Sequence, residues 1–280
     1  ALSGSTCQNG ALDDPAASVH VEKRRLLCFT LNYHWLDKPA YLKSTAQVVL
    51  LRSHEQLPRC DYHLRFRYQT FLIDLSQNLD DIYAAFHAKS ARYSIRKAIR
   101  DGVVVKPAET VAEKSQFFDF YQSFARHPKR KDKMLVLQKN ELDRLLIFYA
   151  LSADGEYLGG VGLLPSPDGK YCLYKYGATL HRCCENELLI WQAIQYAKQH
   201  GFQYFDMSWT APTDDRNSDM HRLSLFKRKF GGEPVDFYTY VKFSGPVRVL
   251  ARPFDLVLKS FFDDDINALA LFLKKFKVFR

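Results

Sequence analysis

Residues 171–209, YCLYKYGATLHRCCENELLIWQAIQYAKQHGFQYFDMSW, decide the fold. The opening YCLYKYGAT follows an Asp-Gly pair and is rich in aromatic residues, so it reads as a strand leaving a tight turn. NELLIWQAIQYAKQHG places Ile190, Ala193, Ile194 and Ala197 on one helical face and ends at Gly201, the pattern of an amphipathic helix with a glycine stop. FQYFDMSW is a second, shorter strand. A helix joining two neighbouring strands makes that pair parallel. If the rest of the sheet is antiparallel, it can splay open at the parallel pair and admit a ligand. Several α/β folds accept such a string.

The flanking sequence supplies the antiparallel part. LLIFYALSADGEYLGGVGLL (145–164) reads as strand, Asp-Gly turn, strand, and PSPDGKYCLYKYGAT (165–179) repeats the device. Upstream, Ser76 or Asn78 caps a helix with Asp80 and Asp81 in its first turn. Its apolar stripe runs through Ile82 and Phe86, then shifts to Ala91, Ile95 and Ile99, which predicts a bend near Lys89 and Ser90. Arg92, Arg96 and Arg100 form a basic stripe beside it. Gly102 ends the helix, VVVKP follows as a strand, and EKSQFFDFYQSFARH is a further amphipathic helix. Downstream, RLSLFKRKFGG is a short helix closed by a glycine pair, and VDFYTYVKF is a strand. The expected fold class is α/β (α+β), a mixed, mostly antiparallel sheet flanked by helices.

Four segments follow from composition shifts. Residues 1–18 read as a flexible tail without the basic and apolar regions of a secretory signal. Residues 19–70 are strand-rich, either a reduced first lobe or an extension of the main sheet. Residues 71–250 hold the main domain, and 251–280 form an amphipathic helical segment. That last segment reads as packing on its own domain, with docking on an anionic membrane face as the minority reading. No apolar run is long enough to span a bilayer.

The 280 residues carry 40 Lys and Arg against 31 Asp and Glu, a formal charge of +9. A positive field favours anionic partners: phosphate-bearing donors, nucleic acid or an anionic membrane. Six cysteines without a CxxC pair, and nine histidines without an HExxH pair, point to no metal site and to a reducing, cytoplasmic setting, with the inner membrane face as a variant of it. GxSxG is absent, and GEYLGGVG lacks the Lys-Ser/Thr of a phosphate loop.

SARYSIRKAIRDGVVV, LYKYGAT, ELLIWQAIQYAKQHGFQYFD and LFKRKFGGEPVDFY together resemble the FemAB-like branch of the GNAT acyltransferase superfamily, over about residues 71–250. The resemblance implies a GNAT-like fold and transfer of an acyl or aminoacyl group to an amine, from acyl-CoA or aminoacyl-tRNA, with no tightly bound cofactor. It implies an amine acceptor of cell-envelope, polysaccharide or peptide type, in some relatives lipid-linked, and hence peripheral membrane contact. A non-catalytic module that uses the same fold to bind RNA or anionic lipid is the alternative.

By this resemblance Lys227 matches the lysine of an FKxxFG motif, beside the donor carbonyl; taken alone it reads as a solvated lysine on a basic helix. Asp206 ends the short strand, where a carboxylate accepts an amine proton, orients the acceptor or holds nearby backbone. Tyr176 faces either the gap or the core. Arg182, Arg92, Arg96 and Arg228 are candidates for donor or acceptor anions, against a reading as solvated surface charge. Trp209 is a candidate wall of the acceptor pocket. The segment GATLHRCCENELL lacks the glycines with which GNAT proteins cradle the CoA diphosphate, which favours a donor held by side chains.

Overall fold

The structure is a computed structural model that describes residues 21–26, 29–35, 48–58, 62, 64–126, 137–210 and 219–244. The expected tail at 1–18, the segment 251–280, and Cys7, Cys28 and Cys60 lie outside the described residues.

Among the described residues ten strands form one sheet in the order β1-β2-β3-β10-β4-β9-β8-β7-β6-β5. They are β1 (Val21–Leu26), β2 (Phe29–Trp35), β3 (Val48–Ser53), β4 (Leu64–Asp74), β5 (Val104–Pro107), β6 (Leu146–Leu151), β7 (Tyr157–Pro165), β8 (Tyr171–Thr179), β9 (Tyr204–Asp206) and β10 (Glu233–Phe243). All neighbours are antiparallel except β8 with β9, the pair foreseen from the intervening helix, and β2 with β3. β1–β3 join the same sheet through the pairing of β3 with β10.

The helices are α1 (Leu79–Ala85), α2 (Tyr93–Arg100), α3 (Val111–Ala125), α4 (Glu185–Gln199) and α5 (Asp219–Arg228). Asn78 caps α1 by accepting the Asp81 N–H. The expected bend is a π-helical turn, Ala88–Arg92, between α1 and α2. α2, α4 and the sheet enclose one core, with Ile95, Leu189, Ile194, Phe205 and Phe230 fully buried. α3 and a 3-10 turn, Lys139–Arg144, cover the opposite face around Phe117, Tyr121, Leu173 and Tyr176. The two faces follow from strand alternation: Phe205 and Cys172 go to the α4 side, Leu173 to the α3 side.

One turn needs two glycines. Gly231 (φ +72°) and Gly232 (φ +85°) carry α5 into β10, and a Cβ on Gly232 would sit 2.8 Å from the Leu72 carbonyl oxygen. That fold-back returns the end of α5 to the middle of the sheet, which places Lys227 beside β9.

Candidate active site

The splay foreseen between β8 and β9 is present. The two strands pair only over Tyr171–Leu173 and Tyr204–Asp206. Beyond that, β8 continues to Thr179 along β7. The chain after Asp206 turns the other way and follows β4: Met207 N–H donates to the Phe71 carbonyl and Thr210 pairs with Gln69. Ser208 makes the turn with φ +65°.

Asp206, the last residue of β9, is 0% exposed. Its Oδ1 accepts from the Thr70 hydroxyl (2.5 Å) and the Ser208 N–H (2.7 Å), and its Oδ2 lies 3.0 Å from His54 Nε2. With both oxygens occupied, this carboxylate is arranged as a fixed negative charge rather than a free proton acceptor.

Lys227 enters from α5 and is 4% exposed. Its Nζ donates to the Trp209 carbonyl (2.9 Å), on the strand that leaves the split. Burial pushes its pKa down from 10.5 to about 7, while the negative charge of Asp206 acts in the opposite direction. The ammonium and carboxylate named from sequence are thus brought together at the point where β8 and β9 part. Trp209 itself is half-buried, packed against Tyr68 (5.3 Å between ring centroids) with the Arg52 guanidinium 5.8 Å from its ring.

The other candidates lie elsewhere. Tyr176 is on the stretch of β8 without a β9 partner, but its side chain packs edge-on to Tyr121 and its hydroxyl donates to Glu141 (3.0 Å), itself bonded to Lys175. Arg182 is 58% exposed and pairs with Glu156 (2.7 Å). Arg96 and Arg228 are exposed. Arg92 ends the π turn half-buried, with its Nε buried and lacking a hydrogen-bond partner among the described residues. Lys229, two residues after the motif lysine, is tied to Glu187 of α4 (2.5 Å) and lies over the Phe226 ring.

The loop from β8 to α4 is closed on itself. His181 and Cys184 take positive φ, and Glu185, fully buried, accepts the His181 N–H (2.5 Å) and the Cys183 N–H (2.9 Å). Backbone N–H groups converging before a helix are a ready anion site; here the anion is the protein's own carboxylate. His54, Thr70 and Glu185 were not singled out in the sequence. For His54 the local signal is a polar residue just past strand β3, for Thr70 a polar residue in the middle of the alternating strand β4, and for Glu185 an acidic residue opening a helix.

Among the described residues no cluster of three or more His, Cys, Asp or Glu could hold a metal ion, and no helix is long and apolar enough to cross a membrane.

Comparisons with known proteins agree with this architecture. The family model described as "Acetyltransferase (GNAT) domain" matches residues 85–215. The "Lipid II:glycine glycyltransferase" of Staphylococcus saprophyticus subsp. saprophyticus is 27% identical over 116 residues, 39% of this chain and 28% of that protein, so the match spans under a third of the relative. The FemX crystal structure superposes with a TM-score of 0.60 at 13% identity, over 84% of this chain and 85% of FemX. L-PGS from Bacillus licheniformis gives 0.56 at 12% identity, over 85% and 83% of the two chains. At such identities these two structures speak for the fold. The split parallel pair, the motif lysine beside it and the matched domain agree: residues 85–215 match a GNAT acetyltransferase domain, and the chain is similar in sequence and fold to FemAB-like members of that superfamily.

Proposed function

We propose that this protein transfers an aminoacyl group from aminoacyl-tRNA to the amine of a cell-envelope precursor, a lipid-linked one included. The observation that carries the reading is the buried Lys227 ammonium at the mouth of the β8–β9 split, held by the Trp209 carbonyl and facing the field of Asp206.

In this reaction the amine nitrogen bonds to the ester carbonyl carbon, the carbon–oxygen ester bond breaks, and the amine proton passes to the leaving oxygen. Negative charge develops on the carbonyl oxygen. Among the described residues Lys227 Nζ makes one hydrogen bond within the protein, and an ammonium has three N–H groups. The remainder suit an oxyanion, where one donor is worth about 2.7–4 kcal/mol. Holding donor and acceptor in line within the split supplies up to about 7–11 kcal/mol more. The charge of Asp206 opposes the loss of the lysine's proton that burial favours.

The position of Glu185 supports this donor class over a CoA ester. A CoA diphosphate would need the N–H groups of His181 and Cys183, which already hold a carboxylate. An aminoacyl ester on a large polyanion can instead be held by side chains on the basic surface of a +9 protein. The name of the staphylococcal relative, a glycyl transferase acting on lipid II, agrees with an aminoacyl donor and a lipid-linked acceptor. Cytoplasmic placement, at the inner membrane face, is part of the same proposal.

The test is transfer of labelled amino acid from charged tRNA, with acyl-CoA as the competing donor, to an envelope precursor carrying a free amine. Lys227→Ala is expected to lose about 10²–10³-fold in kcat. Transfer from acyl-CoA alone, or full activity in the variant, would reject the reading.

A further inference from the structure

His54 stands one residue beyond β3 and 152 positions before Asp206 in the chain, yet its Nε2 is 3.0 Å from Asp206 Oδ2. The matched GNAT region, 85–215, contains neither His54 nor Lys227. The imidazole is 9% exposed, stacked on Tyr171 (centroids 4.8 Å apart, planes at 27°) and tilted against Phe237 (4.9 Å). An ionised carboxylate only accepts, so the hydrogen of this contact sits on Nε2 and Nδ1 is left with the lone pair in the neutral ring. Nδ1 is buried and has no hydrogen-bond partner among the described residues.

A ring needed only to fill the space between Tyr171 and Phe237 would be more stable there as phenylalanine, because an unpaired buried polar atom is unfavourable. What the imidazole adds is the bond to Oδ2. Thr70 and Ser208 fix only Oδ1. Without a donor on Oδ2 the carboxylate can tilt, and the charge that opposes the desolvation of Lys227 is weakened. His54 therefore reaches the lysine through a carboxylate that it holds in place.

We propose that His54 is a positioning residue of the transfer site, acting through Asp206 to keep the Lys227 side chain charged and aimed. This rests on the roles given above to Lys227 and Asp206. The charged and titratable groups around the relay are identifiable. Lys227 lies in the field of Asp206 of β9, with Arg228 beside it on α5, Lys229 just past the end of that helix and Glu187 of α4 engaged by Lys229. His54 meets Asp206 and the Tyr171 phenol of β8, whose ring lies under Lys170, and follows Arg52 of β3.

The experiment is an NMR titration of the full chain with 13C-labelled lysine, the Lys227 signal being assigned by its loss in Lys227→Met. The midpoint of Lys227 is followed in the wild type and in His54→Phe, His54→Gln, Asp206→Asn and the His54→Phe/Asp206→Asn double variant. His54→Phe is expected to lower the midpoint by about one pH unit. His54→Gln, whose amide N–H reaches the same oxygen, should stay near the wild type. In the Asp206→Asn background His54→Phe should add nothing, since coupled residues do not act independently. His54→Asn, too short to reach, replaces His54→Phe if that variant does not fold. An unchanged midpoint, or an undiminished shift in the Asp206→Asn background, overturns the proposal. The titration needs no donor, so a wild type that shows the coupling but transfers nothing from tRNA rejects the proposed reaction and leaves the relay standing.

Discussion

Replacing Lys227 by methionine should make the protein more stable while abolishing transfer, and the gain should depend on pH in a defined way. Burial lowers the lysine pKa from 10.5 to about 7. At about 1.4 kcal/mol per pKa unit, keeping the ammonium buried at pH 6 costs about 5 kcal/mol relative to an unperturbed amine. Methionine has nearly the same reach and no charge. Losing the bond to the Trp209 carbonyl offsets about 1–3 kcal/mol of the gain. The net expectation for Lys227→Met at pH 6 is a stabilisation of about 2–4 kcal/mol.

The sign of the pH dependence follows from proton counting. Below pH 7 both folded and unfolded chains hold the proton, and the full destabilisation is present. Between 7 and 10.5 the unfolded chain still binds it and the folded chain has released it, so wild-type stability from this group rises by about 1.4 kcal/mol per pH unit. Above 10.5 the penalty is gone. The methionine variant lacks this rise, and the advantage it holds at pH 6 should shrink steadily as pH approaches 10. Urea unfolding of both proteins at unit steps from pH 6 to 10, extrapolated linearly to water, measures the difference. Parallel curves would mean that the amine titrates alike in the folded and unfolded states, and would refute the burial argument on which the site rests. A stabilised, inactive variant is the signature of a residue kept for chemistry at the expense of stability.

Asp206→Asn should lower the Lys227 midpoint and, by weakening the charge on that oxyanion donor, reduce kcat by up to the roughly 10²–10³-fold expected for loss of the donor itself, both readable in the assays above. Glu185→Ala should destabilise the chain by about 1–3 kcal/mol through the two N–H groups it strands. CoA should leave the thermal midpoint of the wild type unmoved and raise that of the alanine variant; a shift in the wild type would remove the argument against a CoA donor. Gly232→Ala should cost about 1–3 kcal/mol from its left-handed φ and the clash with the Leu72 carbonyl, measured by urea unfolding.

The split of β8 from β9 could be read from sequence because its cause is local: two Asp-Gly turns force antiparallel hairpins, and the Ile190–Ala197 helix forces one parallel crossover. The bend before α2 was legible for the same reason, as the apolar stripe changes phase near Ser90. Lys227 needed the family resemblance, since a lysine in LFKRKF carries no local sign of being buried. Its burial comes from the glycine fold-back and from Trp209, 18 positions earlier. His54 was not legible, because its partner is 152 residues away and no periodicity links them. Tyr176 was ambiguous on its strand; its hydroxyl is taken by Glu141, a residue 35 positions earlier on a 3-10 turn. The closure of the β8–α4 loop depends on a side chain curling back onto its own backbone, which residue type alone does not indicate.

The late strand β10 lies between β3 and β4 and pairs with both. During synthesis β1–β3 emerge early but have no edge of β4 to join until residues 233–243 leave the ribosome. His54, carried by β3, therefore meets Asp206 only after β10 is in place, although every strand from β4 to β9 can assemble before then. A nascent or truncated chain that lacks β10 would hold the split and its loop, but β3 would have no neighbour through which to bring the imidazole to Asp206.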